Sequence, residues 1–194
     1  LLNGELLIAD DPSLPLVANL QRLSLPETSL EEVAGSARAD ALPQLNLDLD
    51  IAQLYFGDNL LGSLSFDLRS TDKGLRFETI YGSIRGLTAT KTQPASLEWL
   101  RTEQGDSSHF YGQFALDDIG NVLEQWSYER IIESKSGLVV VDLSWPDSPA
   151  QWQLAASEGT LSVDLKDGRF LKASDTASGT LKAVSYTHLR AHET

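Results

Sequence analysis

Residues 143–170, LSWPDSPAQWQLAASEGTLSVDLKDGRF, decide the fold class of this chain. Pro146 lacks a backbone donor and holds Trp145 in an extended conformation, so a strand should end at this pair. We expect a short turn and a second strand to follow. Residues 161–165 then alternate apolar with polar side chains, as a strand with one apolar face does. Asp167-Gly168 predicts a hairpin turn, because glycine accepts a positive φ. The stretch therefore predicts antiparallel strands of a sheet that continues beyond it.

The same period of two runs through residues 45–79. Leucines and Ile51 alternate with Asn and Asp at its start, and a second alternating run covers residues 64–69. Turn-forming residues separate the runs at positions 57–59 and 72–74. We therefore predict successive antiparallel strands joined by short turns.

Further strands are expected on both sides of this region. Residues 1–26 contain two strand candidates, GELLIA and PLVANLQRLSL, and residues 26–43 are predicted to form a loop. Later strands are expected at residues 83–90, 95–100, 110–116, 129–133 and 137–145.

One short helix is expected, since Asp117 or Asp118 is a suitable N-cap for a helix ending near Trp126. Such a helix cannot cover so many strands. The sheet must therefore fold on itself into a sandwich or barrel, or remain a trough whose apolar face is occupied by something else. The residue pattern leaves both open. The predicted fold class is mainly β, an elongated antiparallel meander with one short helix.

Three segments resemble, in the same order, the large AsmA-like proteins of Gram-negative envelopes, and among them the very long branch typified by YhdP. The first is LNLDLDIAQLYFGDNLLGSLSFDL, which follows Leu42-Pro43, and the second is FYGQFALDDIGNVLEQW at 110–126. The third is the Trp-Pro-x-x-Pro strand end with the closing Asp-Gly-Arg-Phe at 145–170. The resemblance covers residues 42–170 and rests on the order and spacing of these motifs.

The resemblance implies a curled, trough-like β-sheet in the periplasm, anchored in the inner membrane by a segment outside this sequence. Such a protein supports phospholipid transport to the outer membrane and is not an enzyme. Its partners would be phospholipid acyl chains, with no cofactor and no metal. The alternative is a closed β-sandwich that serves as a structural module of an envelope protein.

If the trough exists, the apolar stripes are its expected lining. In residues 137–143 the inward phase stays open between Val139/Val141/Leu143 and Leu138/Val140, because three successive valines interrupt the alternation. The candidate lining residues are Leu45, Leu47, Leu49, Ile51, Leu64, Phe66, Leu68, Leu75, Phe77, Val139, Val141, Leu143, Leu161, Val163 and Leu165.

The composition excludes several classes of protein. A formal net charge of −13 argues against nucleic-acid binding, which needs clustered Lys and Arg. Hydrophobic residues make up 41% of the chain, too many for disorder. The chain has no cysteine, and hence no disulfide, thiol nucleophile or Cys-ligated zinc. No apolar run approaches the roughly 20 residues of a membrane-spanning helix.

The two ends of the sequence predict a piece of a longer protein. The chain contains no Met, and this predicts that residues 1–183 are an interior fragment. Residues 184–194, VSYTHLRAHET, resemble a translated sequencing adapter. We expect this tail not to pack against the sheet.

The catalytic candidates are weak. His109 follows Ser107 and Ser108, but no Gly-x-Ser-x-Gly motif accompanies them. Acidic pairs at Asp10-Asp11, Glu31-Glu32 and Asp117-Asp118 fit solvated turns and a helix cap better than a glycosidase pair. The four tryptophans fit core or groove packing better than a sugar-binding platform, with Trp145 and Trp152 expected on neighbouring strands.

Overall fold

The computed structural model describes residues 2–8, 11, 14–26, 45–103 and 105–171, which form a ten-stranded sheet, a two-stranded ribbon and a short α-helix. The ten strands are β1 (Leu2–Leu7), β2 (Leu16–Leu25), β3 (Leu47–Phe56), β4 (Asn59–Thr71), β5 (Gly74–Ile84), β6 (Leu87–Ala89), β7 (Ala95–Thr102), β8 (Gly105–Leu116), β10 (Ser136–Pro146) and β11 (Glu158–Lys166). The ribbon contains β9 (Ile132–Glu133) and β12 (Arg169–Phe170), and α1 spans Ile119–Gln125.

The strands follow one another across the sheet almost in chain order. Strands β1 to β5 are neighbours in sequence, β6 and β7 both join β5 to β8, and β10 and β11 complete the sheet. Within the described ranges β1 and β11 are the two edges and do not pair with each other, so the sheet is not closed into a barrel. The prediction of a mainly β fold with one short helix is confirmed.

One strand pair corrects the prediction of an antiparallel meander. Strands β2 and β3 are parallel, with Leu16 beside Leu47 and Leu25 beside Phe56, whereas the other neighbours are antiparallel. A parallel pair needs a connection of roughly a dozen residues or more, and residues 26–46 supply one. The predicted loop at 26–43 lies outside the described residues except for Pro26. The predicted tail at 184–194 lies wholly outside them.

The prediction of a strand just before Gly159 is also wrong. Residues Pro149–Gln151 and Leu154–Ala156 form two short 3₁₀ turns, and Trp152 lies between them rather than on a strand. Strand β10 instead pairs directly with β11. After the turn at Asp167, β12 pairs with β9 and not back onto β11. Pro149 lacks a backbone donor, and no clear alternation of apolar and polar residues follows it. This stretch therefore lacks the hydrogen bonds and the apolar side that would favour a strand.

Bulges in neighbouring strands bend one half of the sheet. The register shifts between Ile51 and Leu54 in the β3–β4 pair, and again between Ser65 and Asp67 in the β4–β5 pair. Thr79 carries the second irregularity, with a φ of +51°. Bulges increase local twist and strand bending, which is how an open sheet acquires curvature.

The core consists of two separate clusters rather than one continuous interior. Leu20, Ile51 and Leu54 form the first cluster on β2 and β3. Leu116, Val122 and Val139 form the second, where α1 lies against β8 and β10. Each cluster continues into half-buried apolar side chains, so the two are parts of one larger apolar surface.

Candidate functional site

The strand register brings the predicted lining residues onto a single face of the sheet. Residues directly opposite each other in neighbouring strands point to the same side. One such row begins at Leu47 and crosses six strands; its members are Leu47, Leu68, Phe77, Leu97, Phe110 and Leu143. The register places on this side Leu47, Leu49, Ile51, Leu64, Phe66, Leu68, Leu75, Phe77, Val139, Val141, Leu143, Leu161, Val163 and Leu165. We call this surface the apolar face.

The phase of β10, which the sequence left open, is decided by its neighbours. Val139 lies opposite Phe114 of β8 and Val163 of β11, and Val141 lies opposite Leu161. Val139 is 9% exposed, whereas Leu138, on the opposite side, is 39% exposed. The predicted residue Leu45 precedes β3 and is held by hydrogen bonds with Ser70 instead of by the ladder.

Sequence reasoning missed several members of the apolar face. Phe110 and Phe114 stack on one another, with ring centroids 6.1 Å apart, on the same side as Phe66 and Phe77, whose centroids are 5.4 Å apart. The signal that could have found them is that Leu97 and Trp99 are two residues apart and Phe110 and Phe114 four apart, so each pair lies on one side of its strand. Polar and small residues around them interrupt the alternation.

The exposure of the apolar face varies from one strand to the next. Ile51 is 2% exposed, because bulged strands and the first core cluster enclose it. Leu161 and Val163 on the edge strand β11 are 52% and 51% exposed. Most other members are half-buried. The described residues contain one large sheet and a two-stranded ribbon, and α1 covers only part of this face.

A polar network around Asp118 fixes α1 against the apolar face. The Asp118 carboxylate accepts hydrogen bonds from the backbone N–H groups of Gly120 (2.9 Å) and Ser134 (3.0 Å). It also pairs with Arg130 at 2.5 Å. The Ser134 bond, followed by the Gly120 bond and the nearby Arg130 charge, lowers the pKa of Asp118 below its ordinary value, against the opposing effect of burial. The predicted N-cap is thus also the anchor of the following segment.

Two tryptophans border the apolar face at one end of the strands, the end away from α1. Trp99 and Trp145 flank Ser108 in one cross-strand row, and each is almost fully buried. The Trp99 indole donates to the Asp106 carboxylate, and the Trp145 indole donates to the Ser148 carbonyl. Each ring therefore packs on the apolar side while its N–H reaches polar groups at the rim. Trp145 does not pair with Trp152.

The other side of the sheet is polar and carries cross-strand ion pairs. Asp48 pairs with Arg69 at 2.5 Å, and Arg76 pairs with Glu98 at 2.9 Å. Glu98 raises the pKa of Arg76 through a hydrogen bond and its charge. Asp48 and Arg69 are each about one-third exposed, so such pairs contribute little to stability.

His109 lies within β8 on this polar side, not in a loop or at a strand edge. Its Nε2 lies 2.8 Å from Asp142, and both side chains are about half exposed. Ser108 points to the other side, where its hydroxyl donates to the Asp147 carbonyl. Ser144 lies directly opposite His109 in the ladder, so the His–Asp pair belongs to an exposed row of polar side chains.

The described residues show neither a cluster of metal-ligating side chains nor a helix able to span a membrane. They contain no group of three or more His, Cys, Asp or Glu side chains placed to hold a metal ion. None of their helices has the length and apolar character needed to cross a membrane. Of the acidic pairs, Asp10 and Glu31-Glu32 lie outside the described residues.

The comparison with protein families adds an independent finding. The model of the family described as YhdP protein matches residues 1–187. No curated protein and no solved structure matches the chain at a significant level. Since the family match spans nearly the whole sequence, this chain belongs to the YhdP family.

Proposed function

We propose that this chain is a non-enzymatic part of an envelope protein that supports phospholipid transport between the inner and outer membranes. In this proposal the acyl chains lie along the apolar face and the head groups stay in water. The chain would reside in the periplasm, held at the inner membrane by a segment outside this sequence. Membership of the YhdP family supports a role of this general kind.

The observation that carries the proposal is the extent of the apolar face that no other described residues cover. Its rows run from β2 to β11, and its edge members Leu161 and Val163 remain about half exposed. Large contiguous apolar surfaces are rare on soluble monomers and mark binding sites. Lipid chains match this surface, because each methylene moved out of water contributes about 0.8 kcal/mol.

The polar side of the sheet supports a non-enzymatic role. His109 on this side pairs with Asp142, and both side chains are about half exposed, whereas catalytic pairs are usually enclosed with their substrate in a concave pocket. A lipid carrier needs no such groups, because it acts by removing the cost of exposing acyl chains to water.

The competing function is a structural module whose apolar faces pack together in a closed sandwich. Such a sandwich requires a second sheet about 10 Å from the first. The described residues supply only one large sheet, and this favours the lipid-binding role.

Site-specific photocrosslinking tests the proposal. A photoreactive phenylalanine analogue would replace Leu161 on the apolar face, and Ser162 on the opposite side of the same strand as the matched control. We expect phospholipid adducts, detected by mass spectrometry, at position 161 and not at position 162. Adducts at neither position, or equally at both, would contradict the proposal.

A further inference from the structure

The turn between β5 and β6 lies where the two core clusters meet. Ile84, just before the turn, packs against the cluster of Leu20, Ile51 and Leu54. Leu87, just after it, packs against the cluster that includes Val122 of α1. The intervening residues, Arg85 and Gly86, therefore lie at the rim of the apolar face.

The backbone holds Arg85 in one orientation. Its N–H donates to the Leu61 carbonyl at 2.9 Å, and its φ is +45°, which is uncommon for a residue with a Cβ. The next residue, Gly86, is close to α1: a Cβ there would lie 3.1 Å from both Val122 Cγ2 and Gln125 Nε2. The turn is thus packed against the helix, and the backbone position of Arg85 is fixed.

Arg85 differs from most other described arginines in what lies beside its guanidinium group. Within the described ranges it forms no ion pair with a carboxylate, unlike Arg69, Arg76, Arg101, Arg130 and Arg169. Its guanidinium lies over the Trp126 ring instead, 5.3 Å from the centroid. An unpaired arginine beside an apolar surface is unexpected in a chain whose net charge is −13.

The ring beside Arg85 suits the boundary between an acyl chain and its head group. Trp126 is 42% exposed and combines an apolar ring with a polar N–H group. Guanidinium groups bind phosphate through two parallel hydrogen bonds, which makes arginine well suited to anionic head groups.

We propose that Arg85, supported by Trp126, binds the phosphate of a phospholipid whose acyl chains lie on the apolar face. This inference rests on the proposed lipid-binding function and adds a head-group site to it. It places the head group at the rim formed by the β5–β6 turn and α1.

The test measures binding of two acyl-labelled fluorescent lipids with identical chains, phosphatidylglycerol and diacylglycerol, to the purified protein. The wild type should bind phosphatidylglycerol more tightly than diacylglycerol. Arg85→Gln should weaken phosphatidylglycerol binding by roughly tenfold, the size expected for a lost charge-assisted hydrogen bond. It should leave diacylglycerol binding unchanged. Arg22→Gln is the matched control, because Arg22 lies over Tyr55 and also lacks a carboxylate partner in the described chain.

The outcomes separate this inference from the proposed function. A wild type that binds neither lipid overturns both. Equal wild-type affinity for the two lipids, or phosphatidylglycerol binding unaffected by Arg85→Gln, overturns only the Arg85 site. If Arg85→Gln does not fold, the wild-type protein provides the test. Its preference for phosphatidylglycerol over diacylglycerol should decrease with added salt, and a preference that salt does not change would overturn the Arg85 site. Glycerol 3-phosphate competing as well as the lipid would mean that a free phosphate, not a lipid, is recognised.

Discussion

Leu47 on β3 lies directly opposite Leu68 on β4, and the row continues through Phe77 on β5. Leu68 is 9% exposed, whereas Leu47 is only half-buried because it begins its strand. A row of apolar side chains that no second described sheet covers should respond to substitution differently from a closed core. The difference can be measured as the loss of stability caused by single substitutions.

Replacing Ile51 and Leu47 by alanine should have unequal effects on stability. Ile51 is 2% exposed, so Ile51→Ala should lower the free energy of unfolding by about 2–5 kcal/mol through the cavity it leaves. Leu47→Ala should cost less, because water or lipid can occupy the space. Urea denaturation of both variants measures this. An equally large loss for Leu47→Ala, without lipid crosslinking at that position, would favour a closed core.

Substitutions on the two faces of β3 should differ in their cost to the stability of the protein. Leu47→Asp should be costly, because a carboxylate is poorly tolerated on an apolar surface. Asp48→Ser removes the ion pair with Arg69, which is about one-third exposed, and should cost no more than about 1 kcal/mol. Thermal melts of the two variants compare these effects. A larger loss for Asp48→Ser would show that the faces are assigned the wrong way round.

Gly82 is expected to be irreplaceable for reasons of space as well as conformation. Its φ is +140°, and a Cβ would lie 2.3 Å from the Ser63 carbonyl oxygen of the neighbouring strand. Gly105 provides the control, since its φ is +125° but nothing lies within 4 Å of a Cβ. Gly82→Ala should therefore destabilise the protein by about 1–3 kcal/mol more than Gly105→Ala in urea denaturation. Equal losses would mean that only backbone conformation matters.

The network around Asp118 should make the fold sensitive to acid. Its folded pKa is lowered below the ordinary 3.8, so its contribution is present above that value and lost as the pH falls through the folded pKa. Asp118→Asn keeps an acceptor for Gly120 N–H but cannot titrate. This variant should lose less stability than the wild type between pH 5 and pH 3 (an approximate window), as thermal melts would show. An equal loss of thermal stability in both proteins would show that Asp118 does not cause the acid sensitivity.

Loss of the helix cap itself should be visible at neutral pH. Asp118→Ala removes the acceptor for Gly120 and Ser134 and should cost about 1–2 kcal/mol. Asp117→Ala is the matched control, because the neighbouring Asp117 is exposed and does not cap the helix. Equal effects of the two changes on the free energy of unfolding would contradict the cap assignment.

Several parts of the fold were predictable because they depend on local rules. Alternation at residues 45–51 and 161–165 predicted strands with one apolar side, and the pair Asp117-Asp118 marked the start of α1, which Asp118 caps. The error at residues 149–156 arose where proline and short apolar runs gave no period. The His109–Asp142 contact was not predictable, since it joins strands that only the register aligns.

By itself, the sequence determined that the fold is mainly β and, for residues 45–51, 64–68 and 161–165, which side of the strand is apolar, because a period of two is a local property of extended chains. Only the tertiary structure decided that β2 and β3 run parallel, that Val139 and not Leu138 joins the apolar face, and that Arg85 lies over Trp126. These relationships depend on contacts between distant residues. Each strand is compatible with several partners and registers until bulges, turns and packing select one.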